Sequence, residues 1–141
     1  MTLLGPQRGA IATPHASDLS QPFWDGCARG ELLFQRCGDC GLATHTPAYL
    51  CAHCASQRLS WERSAGTGTI YSWTIVWRPQ SPAFEVPYAP VIVDVDEGWQ
   101  ILSNVIGCEP DAVAVGLRVT VEFHATESGF SLPYFRIDPA R

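Results

Sequence analysis

Hydrophobic and polar residues alternate with a period of two over residues 69–77, and this alternation predicts a β-strand. One face of the strand would carry Tyr71, Trp73, Ile75 and Trp77, and the other would carry Ile70, Ser72, Thr74 and Val76. A β-branched run over residues 91–95 ends at the turn 96–98, and residues 100–106 return as the second strand of a hairpin. The middle of the chain is therefore predicted to be β-structure.

Two further strands are predicted over residues 119–123 and 132–137, with a turn at Ser128 and Gly129 between them. Residues 111–115 are predicted to form a short helix or helical turn before the first of these strands. About five strands with short links favour a small closed barrel of the OB type, because a sandwich usually needs about seven. We therefore predict a mainly β protein with a five- to six-stranded OB-fold barrel.

The N-terminal part of the chain carries different signals. Residues 1–18 show no apolar period and are interrupted by glycine and proline, so we predict an irregular arm. Ser20 as a cap, Pro22 in the first turn and Gly30 as a stop predict a short amphipathic helix within residues 19–33.

Residues 78–90 break the strand pattern with four prolines, yet they carry the aromatic residues Phe84 and Tyr88. Proline restricts such a loop to extended conformations, and large aromatic side chains on an ordered loop usually cover something. Two interpretations stay open: the loop is a lid over the barrel's own core, or it is a surface for a ligand or partner.

Four cysteines form two C-x-x-C pairs, Cys37 with Cys40 and Cys51 with Cys54, and ten residues separate the pairs. Each pair can place both sulfurs on one ion, and four thiolates at about 2.3 Å complete the tetrahedral coordination of zinc. The spacing therefore predicts a structural zinc site with no open position for catalysis. Two disulfides or a rubredoxin-type iron site are the alternatives, and disulfides are disfavoured in a cytoplasmic chain.

Composition and charge limit the classes of ligand that the protein is expected to bind. All nine positively charged residues are arginines, and the formal net charge is −5. Residues 1–63 carry five arginines against five acids, whereas residues 64–141 carry four arginines against nine acids. Nucleic-acid binding requires a basic face that neutralises phosphates, so the acidic second part weighs against DNA or RNA as the natural ligand.

The chain has the composition of a soluble globular protein, with 46% hydrophobic residues. No apolar run approaches the roughly 20 residues that a membrane span requires. The first twenty residues contain no basic start followed by an apolar stretch, so we expect no secretory signal and a cytoplasmic location.

The other polar residues of the sequence do not form a recognisable set of catalytic residues. His45 and His53 lie within the cysteine module. Asp94, Asp96 and Glu97 cluster near the hairpin turn, where acids are ordinarily solvated, and a magnesium site is the weaker alternative. We therefore predict a chain without an active site of its own.

The order of several segments along residues 19–137 resembles a known family. These segments are residues 22–26 (PFWDG), 30–37 (GELLFQRC), the two cysteine pairs, 68–74 (GTIYSWT) and 102–108 (LSNVIGC). The family is the one catalogued as domain of unknown function 35, with an N-terminal helix, a rubredoxin-like zinc ribbon and an OB-fold barrel. The arm at 1–18 lies outside the resemblance. The rest of the chain divides into a helix at 19–33, a zinc ribbon at 34–63 and a barrel at 64–141, and the resemblance implies Cys37, Cys40, Cys51 and Cys54 as zinc ligands.

Members of this family look like accessory subunits of acyl-CoA enzymes. They accompany thiolases, including lipid-transfer-type thiolases and aldolases, and hotdog-fold enoyl-CoA hydratases. The resemblance therefore implies a non-catalytic subunit that binds such a partner and helps to bind or channel acyl-CoA, for example by completing the apolar wall of a pantetheine channel. The candidates for this ligand or partner surface are Trp73, Trp77, Arg78, Phe84 and Tyr88, with Arg78 as the nearest cation for a CoA phosphate.

A nucleic-acid-binding module is the main alternative, because zinc ribbons and OB folds both serve that purpose in other proteins. It would require a basic groove with interleaved aromatic residues, and the acidic barrel argues against one. A free-standing enzyme is the third hypothesis, and the missing catalytic constellation disfavours it.

Overall fold

The computed structural model of the chain describes residues 2–139. The elements in chain order are α1 (Gln21–Ala28), β1 (Leu33–Cys37), β2 (Ala43–Thr44), β3 (Leu59–Arg63), β4 (Thr67–Trp73), β5 (Ala89–Val95), β6 (Trp99–Ile106), a 3-10 turn (Pro110–Ala112), β7 (Arg118–Ala125) and β8 (Ser131–Ile137). Among these described residues no helix has the length and apolar character that a membrane crossing requires.

The strands form two separate sheets. The first is a three-stranded sheet with the order β2-β1-β3, and all of its pairs are antiparallel. The second is a closed barrel with the order β4-β5-β6-β8-β7, in which β6 and β8 are parallel neighbours and the other pairs are antiparallel. The predicted mainly β fold with a short N-terminal helix and a five-stranded barrel is confirmed. The domain boundaries themselves stay a prediction.

Helix α1 begins after Ser20, as predicted, but the serine side chain does not cap it. Ser20 has a helical backbone (φ −92°, ψ −11°), and its Oγ accepts a hydrogen bond from the N–H of Ser17, which precedes the helix, at 2.9 Å. The buried face of the helix holds Phe23 and Cys27. Gly30 follows the helix with a φ of +78°, a conformation that favours glycine, and so acts as the stop.

The predicted strand over residues 69–77 is too long. Strand β4 ends at Trp73, and its register with β5 shifts between Ile70 and Ser72, which marks a bulge. The bulge breaks the alternation of faces: Ile70 is fully buried, whereas Ser72 is exposed like its neighbours in sequence. Beyond the strand, Val76 forms an isolated bridge with Tyr88.

The helical turn predicted over residues 111–115 is a single 3-10 turn at Pro110–Ala112. Pro110 occupies its first turn, where its missing N–H costs no hydrogen bond. Gly116 follows with a φ of +92°, and its N–H donates to Ile70 O at 2.9 Å. The turn is therefore shorter than predicted because the chain has to return to β4 within a few residues.

One hydrophobic core joins the parts of the chain. It contains Phe23 and Cys27 from α1, Phe34 from β1, and the inward side chains of the barrel strands, among them Val93 and Phe135. The small sheet is therefore packed onto the barrel and shares its core.

The N-terminal arm has no helix or strand between residues 2 and 17, yet it is firmly attached to the barrel. Leu4 is 2% exposed, donates its N–H to Cys108 O and accepts from the N–H of Gly107, both at 2.8 Å. Gln7 is 4% exposed, and its side chain exchanges two hydrogen bonds with the backbone of Glu85, at 2.8 and 2.9 Å. The arm is thus fastened to the end of β6 by main-chain hydrogen bonds and to the proline-rich loop by the side-chain amide of Gln7.

Candidate functional site

The two cysteine pairs lie at the end of the three-stranded sheet, in two turns of similar shape. In the first turn the N–H of Gly41 donates to Cys37 O at 3.0 Å, and in the second the N–H of Ala55 donates to Cys51 O at 2.9 Å. Both Gly41 (φ +79°) and Ala55 (φ +60°) adopt the left-handed conformation. Each turn therefore reverses the chain directly after its second cysteine and directs both sulfurs to one point.

The four sulfurs have the geometry of a metal site. The Sγ atoms of Cys37, Cys40, Cys51 and Cys54 all lie within 4.8 Å of one another. The Cys37–Cys54 and Cys40–Cys51 sulfur distances are 3.6 and 3.5 Å. Four thiolates around a tetrahedral zinc ion would be roughly 3.8 Å apart, whereas a disulfide brings two sulfurs to about 2.05 Å. The cysteines fit an ion, and the disulfide alternative is wrong.

Backbone N–H groups lower the pKa of Cys37 and of Cys51 and so favour the thiolate form that a metal requires, whereas burial and the neighbouring thiols raise the pKa of Cys40 and of Cys54. The N–H groups of Cys40 and Asp39 point to the Cys37 sulfur at 3.5 and 3.4 Å, and they lower the pKa of Cys37 to about 6. The N–H of His53 points to the Cys51 sulfur at 3.4 Å. His53 itself is exposed, and its side chain is not among the metal-ligand cluster of the described residues.

Two polar contacts brace the turns that carry the cysteines. Asp39 accepts hydrogen bonds from Ser56 Oγ at 2.5 Å and from Arg58 Nη1 at 2.7 Å, and this links the first turn to the segment after the second. Gln35, which is 4% exposed, exchanges two hydrogen bonds with the backbone of Ala48 at 2.9 and 3.2 Å. No local sequence pattern indicates this role of Gln35, because its partner lies thirteen residues away in an irregular segment.

The structure does not bring the five predicted surface residues together. Phe84 and Tyr88 stack on each other, with ring centroids 5.7 Å apart, and both line one cavity. Trp73 and Trp77 lie elsewhere, 42% and 64% exposed, and Arg78 is exposed beside Trp77. Tyr88 is buried and also lines the cavity, and the interpretation of the loop as a surface for a ligand or partner stays a prediction.

The acidic residues near the hairpin turn have structural partners. Asp96 accepts two hydrogen bonds from the Arg118 guanidinium, at 2.7 and 2.8 Å, and this pairing lowers the pKa of Asp96 to about 2. Glu97 accepts from Ser64 Oγ at 2.6 Å and from the N–H of Ala65 at 2.9 Å. These contacts fasten the hairpin turn to neighbouring segments, so the carboxylates are already engaged without an ion.

His45 was given no role in the sequence analysis, and the structure places it at a junction. Its ring stacks on Trp99 of the barrel at 5.1 Å and meets the edge of Phe23 of α1 at 4.7 Å. The Nδ1 atom is buried and has no hydrogen-bond partner among the described residues. Burial lowers the pKa of His45 to about 4, so its imidazole is neutral at physiological pH.

The buried imidazole predicts a pH dependence of stability. Between pH about 6.5 and 4 the unfolded chain binds a proton at His45 that the folded chain does not, so the free energy of unfolding falls as the pH falls. We expect that in His45→Phe the free energy of unfolding falls by up to about 3 kcal/mol less over this pH range than in the wild type. Urea denaturation at several pH values measures it. His15→Phe, in the exposed part of the arm, is the control, and parallel curves for wild type and His45→Phe would refute the prediction.

Two family descriptions match adjacent parts of the chain. Residues 24–60 match "ChsH2, rubredoxin-like zinc ribbon domain", and residues 61–124 match "ChsH2, C-terminal OB-fold domain". The first match contains the four clustered cysteines, and the second begins in the strand that leads into the barrel.

Individual proteins agree with these matches. A probable enoyl-CoA hydratase alpha subunit of Thermomonospora curvata is 34% identical over 90% of this chain, which spans 40% of that relative's length. A DUF35 domain-containing scaffold protein of Methanothermobacter thermautotrophicus is 27% identical. The aligned region covers 67% of this chain and 73% of that protein's length. A chain of the solved structure "Ltp2-ChsH2(DUF35) aldolase" is 30% identical and superimposes with a TM-score of 0.82. The superposition covers 89% of this chain and 98% of that chain.

Proposed function

Because the chain belongs to the ChsH2 family, which joins a rubredoxin-like zinc ribbon to an OB-fold domain, we propose that it is a non-catalytic accessory subunit. Its proposed task is to bind a thiolase-like or enoyl-CoA hydratase protein and to help bind or channel acyl-CoA. The observation that carries this proposal is the similarity to a chain of the Ltp2-ChsH2(DUF35) aldolase. This chain covers 98% of the length of that chain.

We propose that the ion held by Cys37, Cys40, Cys51 and Cys54 is zinc. Four thiolates fill the coordination sphere of zinc, so the ion would supply a cross-link between the two turns and no open position for a substrate. The backbone N–H groups that favour thiolates at Cys37 support this proposal. A thiolate site also agrees with a cytoplasmic location, which we propose for the protein because thiols stay reduced there.

The exposed aromatic residues support a protein-binding surface. Tyr71 and Trp73 of β4 and Leu102 of β6 are 56%, 42% and 73% exposed, and Trp73 and Leu102 line one shallow groove. Trp77 is 64% exposed on the segment after β4. Large aromatic side chains are enriched where proteins bind each other, so the exposed aromatic residues support a protein-binding surface.

The ligand part of the proposal is divided between two places. Phe84 and Tyr88 line a cavity beside the barrel, whereas Arg78 lies in the exposed segment next to Trp77. A guanidinium in that segment is suited to a phosphate that stays in solvent, while the two aromatic rings are suited to a hydrophobic group. We propose that Arg78 contacts the charged end of the ligand.

The test is affinity capture of the tagged, metal-loaded chain from a lysate of its native organism, followed by a moderate salt wash and mass spectrometry. We expect a thiolase-like or enoyl-CoA hydratase protein with the wild-type chain. The double variant Trp73→Ala/Trp77→Ala should recover much less of it, whereas Val115→Ala, which removes a side chain that is 65% exposed elsewhere, should recover as much as wild type. Capture of nucleic acid alone, or of no such enzyme, would contradict the proposed function.

A further inference from the structure

The closed barrel has a seam between β6 and β8, where the two strands are paired over only part of their length. Among the described residues, these parallel strands pair at two positions, Val105 with Phe135 and Ile106 with Arg136. Over residues 101–104 and 131–134 the two strands remain paired to their other neighbours, β5 and β7, but not to each other. A side-chain hydrogen bond, from Ser103 Oγ to Pro133 O at 2.8 Å, crosses the gap. Backbone pairing between the two strands is therefore absent over these residues, and their facing edges form the seam.

Parts of the chain from outside the barrel also line this seam. Helix α1 contributes Phe23 and Trp24, the segment after β2 contributes His45, and the proline-rich loop contributes Phe84 and Tyr88. Together with the arm and the strand edges they surround a cavity of about 300 Å³, which we call the seam cavity. The size lies at the lower end of the range that small-molecule sites occupy.

The chemistry of the seam cavity selects an uncharged ligand. None of the described residues that line it is an arginine, aspartate or glutamate. His45 is neutral above pH about 4, because burial lowers its pKa. Six aromatic rings line the walls, and Asn104, Ser20 and Gln7 are among the polar groups at its edges. A charged group placed there would lose its hydration without gaining a counter-ion.

The walls are held in place before any ligand arrives. Tyr88 donates its hydroxyl to Gln80 Oε1 at 2.7 Å, and Phe84 stacks on the Tyr88 ring. Gln7 binds the backbone of Glu85 next to Phe84, and the N–H of Gln7 donates to the Tyr134 hydroxyl at 3.1 Å. A cavity with fixed walls binds a hydrophobic group without the entropy cost of ordering a loop.

We propose that the seam cavity binds the hydrocarbon part of a medium-length acyl group. A cavity of roughly 150 Å³ accommodates benzene, so about twice that volume accommodates on the order of ten carbon atoms. The requirement for an uncharged hydrophobic group rests on the cavity itself, whereas the choice of an acyl group rests on the proposed function. In this arrangement the acyl chain enters the seam while the charged CoA end stays outside.

Binding of two uncharged thioesters to the metal-loaded full chain tests the proposal. The probes are S-octanoyl-N-acetylcysteamine and S-acetyl-N-acetylcysteamine, which share their polar end and differ by six methylene groups, and the method is isothermal titration calorimetry. We expect the octanoyl ester to bind at least about tenfold more tightly, because each buried methylene adds hydrophobic stabilisation. Equal affinities, or no binding of the octanoyl ester, would overturn the proposal.

Cavity-filling variants locate the binding. Asn104→Trp places a large side chain at the edge of the seam. Leu132→Trp, which does the same from the opposite strand, is the alternative variant if Asn104→Trp does not fold. We expect either to weaken octanoyl binding by about tenfold or more, whereas Val115→Trp, outside the cavity, should leave it unchanged. Unweakened binding by a folded filling variant would refute the site.

The outcomes separate this inference from the proposed function. A chain that captures a hydratase or thiolase-like partner but does not bind the octanoyl ester keeps the proposed function and loses the seam site. A chain that binds the octanoyl ester in the seam but captures no such partner keeps the site and loses the accessory role.

Discussion

Replacing Cys40 by serine is expected to release the ion and unfold the small three-stranded sheet around the cysteines. The serine hydroxyl stays protonated at neutral pH and is a poor ligand, so a tetrahedral thiolate site loses one of its four donors. Structural zinc sites of this kind contribute on the order of 10 kcal/mol in isolated zinc-finger peptides, so the metal-bound fold depends on a complete set of ligands. The metal content should fall from about one ion per chain to a small fraction.

Elemental analysis of the purified protein and hydrogen exchange over residues 37–58 measure the two effects separately. Zinc, rather than iron, should be the metal found in the wild-type protein. Cys108→Ser is the matched control, because Cys108 is a half-buried cysteine outside the cluster. An unchanged metal content and melting temperature in Cys40→Ser would rule out a four-cysteine structural site.

Replacing Phe34 by alanine should destabilise the whole protein by about 3–5 kcal/mol. Phe34 lies on β1 but is 1% exposed, and its ring stacks on Trp99 of the barrel with centroids 5.5 Å apart. Truncation would leave a cavity between the small sheet and the barrel, and the rigid strand on either side cannot collapse to fill it. The loss should appear in urea denaturation of the metal-loaded protein.

Tyr49→Ala is the control for Phe34→Ala, because Tyr49 is an aromatic residue of the same module that is 74% exposed. We expect this variant to change stability by no more than about 0.5 kcal/mol. A cost below about 1 kcal/mol for Phe34→Ala would show that the cysteine module and the barrel are independent, contrary to the shared core.

The clustering of the four cysteines and the hairpin were predicted correctly because both depend on residues close together in the sequence. The two C-x-x-C pairs each form their own turn, and the turn at 96–98 joins β5 to β6 as expected. The extent of β4 was wrong, because the bulge after Ile70 depends on the register with β5 and not on the alternation of side chains.

The predicted surface residues illustrate the same limit. The sequence predicts a ligand or partner surface from large aromatic residues near the proline-rich loop, namely Trp73, Trp77, Phe84 and Tyr88. It does not indicate which of these residues share a cavity. Folding places Phe84 and Tyr88 in the seam cavity and leaves both tryptophans exposed on another part of the surface. Sixty or more residues separate Phe23 from Phe84, so no local pattern could have indicated that both line one cavity.

Local spacing and composition were sufficient to predict the four clustered cysteines, the N-terminal helix and the barrel strands, and the acidic charge of the barrel. Only the folded structure shows that the arm is anchored through Leu4 and Gln7, that the His45 ring packs between Trp99 and Phe23, and that the pairing of β6 with β8 covers two positions only. These features depend on contacts between distant segments, and they form only when the shared hydrophobic core brings those segments together.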